Sequence, residues 1–91
     1  MPAERLSITG RVHGVGYRWW TIGTAGRLGL RGWVRNLPDG SVEILAIGDM
    51  AALDRLAAQC AAGPPGARVD AVERRPAEDD GSAGFRRHPT G

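Results

Sequence analysis

Lysine is absent from the 91 residues, and all twelve basic side chains are arginine. That excludes Schiff-base chemistry, which needs an amine nucleophile, and the Walker-type phosphate loop, which needs Lys beside Ser or Thr. Cysteine occurs once, as Cys60, so no internal disulfide can form and no CxxC pair can hold a metal. One Phe and one Tyr are too few to pave strands with base-stacking aromatics. Long apolar runs are missing as well. The N-terminus MPAERLSITG lacks the apolar stretch of a signal peptide, and no segment approaches membrane-spanning length. The expectation from these absences is a cytoplasmic protein with neither membrane nor nucleic-acid partners.

What is present fits one domain, residues 1–91, large enough to fold unaided and too small for an elaborate active site. Hydrophobic residues make up 42% and charged residues 24%, the profile of an ordinary globular chain. The net charge is only +2, yet the isoelectric point is about 9.5. Arginine forks grip phosphate or carboxylate bidentately, so this basic set suits small anions.

Residues 5–12, RLSITGRV, alternate: Leu6, Ile8 and Val12 fall on one face with Gly10, as in a half-buried strand. In YRWWTIGTAGRLGL, Tyr17, Thr21, Ala25 and Leu28 line one side of a helix. Gly23 and Gly26 weaken that helix by roughly 1 kcal/mol each relative to Ala, so packing must hold it, and Gly29 is a suitable stop. RGWVRN and SVEILAIG read as a hairpin around the turn LPDG. Asp49 stands as N-cap for MAALDRLAAQCAA, whose apolar stripe is Met50, Leu53, Leu56, Ala57 and Cys60. GPPG ends that helix. ARVDAVERR is a strand with ragged alternation, EDDGSAG a loop, and Phe85 anchors a short extra C-terminal strand. The order β-α-β-β-α-β predicts an α+β ferredoxin-like plait, an antiparallel sheet with both helices on one face. That fold hosts many functions and decides none.

One stretch asks for more. HGVGYR, residues 13–18, runs a glycine-rich turn straight into a helix. Such a turn presents unpaired N–H groups at the positive end of the helix dipole. Gly14 and Gly16 let the backbone curl round a tetrahedral anion, and Arg18 can set its guanidinium over it. A tight connector with Arg18 solvated explains the same spacing equally well.

GRVHGVGYR (10–18), followed by GWVRNLPDGSVE (32–43), resembles the two signature stretches of the acylphosphatase family. CAAGPPGARV (60–69) and GFRRHPTG (84–91) are similar to the tail of its bacterial members, so the likeness runs from about residue 5 to 88. The resemblance implies a ferredoxin-like plait that hydrolyses the carboxyl–phosphate bond of acyl phosphates with neither metal nor cofactor. It implies a phosphate cradle of His13, Gly14, Val15, Gly16, Tyr17 and Arg18, with Arg18 the phosphate-binding arginine. It also implies that Asn36 holds the attacking water, and that the substrate phosphate accepts that water's proton. A small acyl phosphate as substrate, inorganic phosphate as product and inhibitor, and a monomeric chain complete the expectation.

The chemistry suits these residues. An acyl phosphate has a good leaving group, so positioning and charge neutralisation suffice without a covalent nucleophile. Asn36 offers both an acceptor and a donor to a water, although asparagine before LPDG also suits a plain turn. Position 13, glutamine in most of the family, is histidine here. His13 either hydrogen-bonds locally or, when charged, adds phosphate affinity. Of Trp19 and Trp20, one packs on the sheet and the other is partly exposed; Trp33 is a sheet residue and Arg11 a solvated one. Cys60 on its apolar stripe is a small hydrophobe, and seven residues separate it from Arg68, unlike the Cys-x5-Arg of thiolate phosphatases.

Three other classes are compatible with a plait. An RNA-binding module lacks its strand aromatics here, and a metal-carrying plait lacks its cysteine pair. A catalytically silent anion-binding domain of the same family stays open. Related domains also occur inside larger carbamoyl-handling enzymes, but a chain that begins with Met and ends soon after its last strand favours a free-standing enzyme. Candidate substrates range from carbamoyl phosphate to metabolic acyl phosphates.

Overall fold

The alternating segment becomes strand β1 (Ala3–Arg11) in the computed structural model, which describes residues 1–91. It is followed by α1 (Tyr17–Arg27), β2 (Arg31–Asn36), β3 (Val42–Ile47), α2 (Met50–Ala62), β4 (Arg68–Pro76) and β5 (Phe85–Arg87). The sheet order is β4-β1-β3-β2-β5. β1 lies antiparallel between β4 and β3, and β3 pairs antiparallel with β2. Hence β1 and β2 point the same way, joined through α1 across β3, while α2 joins β3 to β4 across β1. These are the interleaved units that the element order predicts. The short last strand pairs parallel with β2, matching Val34 to Arg87, so the five-stranded sheet is mixed while its first four strands are antiparallel.

Register explains the core. Leu6 lies opposite Ile44, which in turn lies opposite Val34, and all three are fully buried on one sheet face. Against that face pack Tyr17 and Ala25 of α1 and Leu53, Leu56 and Cys60 of α2. Burying each large apolar side chain contributes about 1.5–3 kcal/mol, so this layer dominates stability. The opposite face carries the smaller set Ala3, Trp33, Leu45 and Ile47. There the Arg5 and Arg35 guanidinium carbons sit 5.5 and 5.2 Å from the Trp33 ring, and His88 stacks on it at 5.0 Å. Glu43 pairs with both arginines, and the Trp33 indole N–H donates to Asp80 of the acidic loop. Cationic and aromatic side chains thus cover the face that has no helix.

Both helices hold by packing. Gly23 and Gly26 are exposed, whereas Tyr17, Thr21 and Ala25 are buried together with Thr24; Leu28 is half-buried. Gly29, at φ 72°, makes the helix stop: its N–H donates to the Gly26 carbonyl and that of Leu30 to the Ala25 carbonyl. This is the Schellman arrangement, which needs a left-handed residue just past the helix. In α2, Asp49 occupies the N-cap position with extended backbone, but its side chain makes no capping bond. Met50 departs from the expected stripe and is 51% exposed, because contact with the sheet begins one turn later, at Leu53. Neither helix is long and apolar enough to cross a membrane.

The ragged pattern of β4 has a local cause. Its register against β1 shifts between Thr9 and Gly10, which pair with Ala71 and Val69, so Asp70 bulges out. The bulge turns Val69 and Val72 to the same side, and both pack on the core. Gly10, at φ 128°, is required there, since a Cβ would lie 2.2 Å from the Arg68 carbonyl oxygen.

Candidate active site

The three mutually parallel strands β1, β2 and β5 bring their carboxyl ends to one edge of the fold. Just beyond β1, residues 13–16 bend into α1, with Gly14 at φ 70° and Gly16 at φ 77°. Left-handed backbone of this kind costs a Cβ-bearing residue about 1–2 kcal/mol. Gly16 is the N-cap of α1 and supplies no side-chain cap. None of the N–H groups from His13 to Trp19 donates to another backbone carbonyl. They form a row of free donors at the positive end of a helix dipole, the physical basis of an anion site.

A cavity of about 100 Å³ opens on this row, lined by Val12, Gly14, Gly16, Tyr17, Arg18, Trp19, Asn36 and Arg87. Arg18 and Asn36, one from the first turn of α1 and one from the end of β2, therefore share a single cavity. Gly14, Gly16 and Tyr17 line it with them, while His13 and Val15 do not. The His13 Nε2–H donates to the Ser41 carbonyl at 2.8 Å, bridging the glycine loop to the start of β3. Val15 packs against the core. Tyr17 is 1% exposed and its hydroxyl donates to the Cys60 carbonyl at 2.8 Å, which leaves its backbone N–H as what it can offer an anion.

Asn36 is held by the hairpin. It pairs with Val42, and the turn between them is fixed by Asp39, whose carboxylate accepts from the Ser41 hydroxyl at 2.6 Å and the Ser41 N–H at 2.9 Å. The Ser41 hydroxyl holds that carboxyl below its usual range. The side-chain oxygen of Asn36 is buried, and no protein donor reaches it. Such an orphan acceptor costs about 1–3 kcal/mol and marks a place where a donor is wanted.

The lining contains two guanidinium groups and no carboxylate. Arg5, Arg31, Arg35, Arg68 and Arg74 each have a carboxylate partner, but Arg18 and Arg87 have none. The cavity is therefore uniformly electropositive. No group of three or more His, Cys, Asp or Glu side chains gathers where it could hold a metal ion. Cys60 is fully buried on the core-facing side of α2, and burial pushes its thiol up to about 11, the wrong direction for a nucleophile.

Arg87 was not singled out by the sequence reading, and neither was the placement of Trp19 at the cavity. Trp19 is 69% exposed, and the Arg87 guanidinium lies 5.9 Å from its ring centre. Trp20 is the packed one of the pair, 5.3 Å from the Tyr17 ring. A usable signal existed for Arg87. With Phe85 turned to the core, strand alternation sends residue 87 to the same side, toward α1.

A plait that sets a glycine-rich turn beside two arginines without carboxylate partners is suited to a small anion, and comparison with known proteins gives its family. The acylphosphatase family profile matches residues 4–87. An acylphosphatase of Rhodospirillum rubrum is 47% identical over 90 residues, covering 99% of both chains. One of Nitrobacter hamburgensis is 54% identical over 73 residues, 80% of this chain and 74% of that one. The crystal structure of acylphosphatase from Bacillus subtilis superposes with a TM-score of 0.93 at 34% identity, covering 97% of this chain and 99% of that one. The chain belongs to the acylphosphatase family. It is accordingly an enzyme that hydrolyses acyl phosphates.

Proposed function

We propose that the protein cleaves the carboxyl–phosphate bond by direct in-line attack of a water aimed by Asn36, on a phosphoryl group held by residues 13–18. The observation that carries this reading is that Asn36, whose buried side-chain oxygen has no protein donor, lines the same cavity as Arg18. With the Asn36 amide turned toward the cavity, a water O–H donated to that oxygen would satisfy it and leave a lone pair directed at phosphorus. The loop N–H groups and Arg18 would neutralise the phosphoryl oxygens as charge shifts toward the leaving group.

In this step a bond forms between the water oxygen and phosphorus while the bond from phosphorus to the carboxyl oxygen breaks. The bonding pair leaves on the carboxylate. The water proton passes to a phosphoryl oxygen, giving inorganic phosphate. Neither a carboxylate nor a histidine lines the cavity, so a phosphoryl oxygen is the acceptor at hand. The product carries the same oxygens the cradle is built to hold, so inorganic phosphate should compete with substrate. No metal and no cofactor enters this scheme, which needs only one chain.

The test is hydrolysis of benzoyl phosphate with and without a chelator, by wild type, Arg18→Gln and Asn36→Ala. Chelator-resistant turnover that drops at least a hundredfold in both folded variants is the expected result. A wild type that binds phosphate and turns nothing over would leave only a silent anion site.

A further inference from the structure

Arg87 has no part in the scheme above, yet it stands in the same cavity with no carboxylate to balance it. The cavity is small, about 100 Å³, and open to solvent. With the phosphoryl group against the glycine loop, the acyl group points toward the open mouth. What lies at the mouth is exposed Trp19, with the Arg87 guanidinium 5.9 Å from its ring centre.

The position of Arg87 is fixed from two sides. Its strand neighbour His88 donates its N–H to the Val34 carbonyl at 2.9 Å, and Phe85 packs on the core. Alternation then holds the Arg87 side chain on the α1 side of the sheet, beside Trp19. Stacking on an aromatic face leaves the in-plane N–H groups of a guanidinium free, and those are the groups that grip an oxyanion bidentately. Resting on the preceding proposal that the loop holds the phosphoryl group, we infer that Arg87, braced by Trp19, is a specificity-determining residue. It selects acyl phosphates whose acyl group carries a negative charge of its own, such as a second carboxylate. A plain alkyl acyl group gains nothing from Arg87, and a cationic one is repelled by it.

The experiment measures binding with hydrolysis-resistant acyl phosphonates, so that it stands apart from turnover. Succinyl phosphonate carries the extra carboxylate and acetyl phosphonate does not. Calorimetric titration of wild type should show succinyl phosphonate bound at least tenfold more tightly. In Arg87→Gln that ratio should collapse to within about twofold, while Arg87→Lys keeps part of it and Trp19→Ala reduces it. A ratio near one in wild type, or one that Arg87→Gln leaves intact, would overturn the inference. So would an equal loss for both ligands, which would make Arg87 a phosphate contact. Failure of benzoyl phosphate hydrolysis with the ratio intact would count against the hydrolytic scheme alone.

Discussion

The Tyr17 hydroxyl donates to the Cys60 carbonyl, tying the first residue of α1 to the last turn of α2. The bond answers a need created by sequence. Residue 64, four beyond Cys60, is proline and has no N–H to give, so the helix cannot satisfy that carbonyl itself. Tyr17→Phe should therefore leave a buried carbonyl unpaired and cost about 1–3 kcal/mol in urea unfolding. An unchanged midpoint would mean that the carbonyl finds another donor.

Two glycines with positive φ, 70° at Gly14 and 136° at Gly32, should behave differently when given a Cβ. Gly14 faces open space, so Gly14→Ala pays only for its left-handed backbone, about 1–2 kcal/mol. At Gly32 a Cβ would stand 1.9 Å from the Leu45 carbonyl oxygen, on the neighbouring strand. Relief there requires parting β2 from β3, and with them the placement of Asn36. Gly32→Ala is expected to be the more destabilising by thermal unfolding, and to lower activity as well. Equal melting temperatures would show that the sheet yields more readily than its backbone contacts indicate.

Alkaline unfolding offers a clean reading because there is no lysine to titrate. The buried Cys60 thiol is raised from its ordinary 9.0 up to about 11. The folded state thus holds its proton to higher pH than the unfolded chain does. Its contribution is whole below pH 9 and fades as pH rises from about 9 to 11, at a slope of up to ~1.4 kcal/mol per unit. Tyr17, also raised by burial, adds to this only above its ordinary 10.0. Cys60→Ala should lower stability at neutral pH yet give a flatter curve between pH 9 and 10. Parallel curves for the two proteins would rule the thiol out as the source.

Most of the architecture was legible because its signals are local. The two-residue alternation of β1, the helical spacing of Tyr17, Thr21 and Ala25, and the Pro-Asp-Gly turn each report on a few neighbouring side chains. What escaped depends on partners far along the chain. The bulge at Asp70 exists only against Gly10, and it is what scrambled the alternation of β4. The parallel pairing of β5 with β2, which carries Arg87 to the cavity, has no signature in the three residues that form it. Asn36 illustrates the same limit from the other side. Its type and position were readable, but the burial of its oxygen without a donor is a property of the assembled site.

Arg18 and Asn36 share the cavity but are assigned different work, and inorganic phosphate can separate the two. If Arg18 meets the anion in ground state and transition state alike, as proposed, Arg18→Gln should weaken phosphate inhibition by an order of magnitude or more and also slow turnover. In the proposed scheme Asn36 touches the water and not the phosphate. Asn36→Ala should therefore lower kcat by about a hundredfold or more while inhibition by phosphate stays within a few-fold of wild type. Steady-state kinetics of benzoyl phosphate hydrolysis over a series of phosphate concentrations gives both quantities for each variant. If Asn36→Ala loses phosphate affinity in step with kcat, the asparagine belongs to the cradle, and the attacking water must be held by something else.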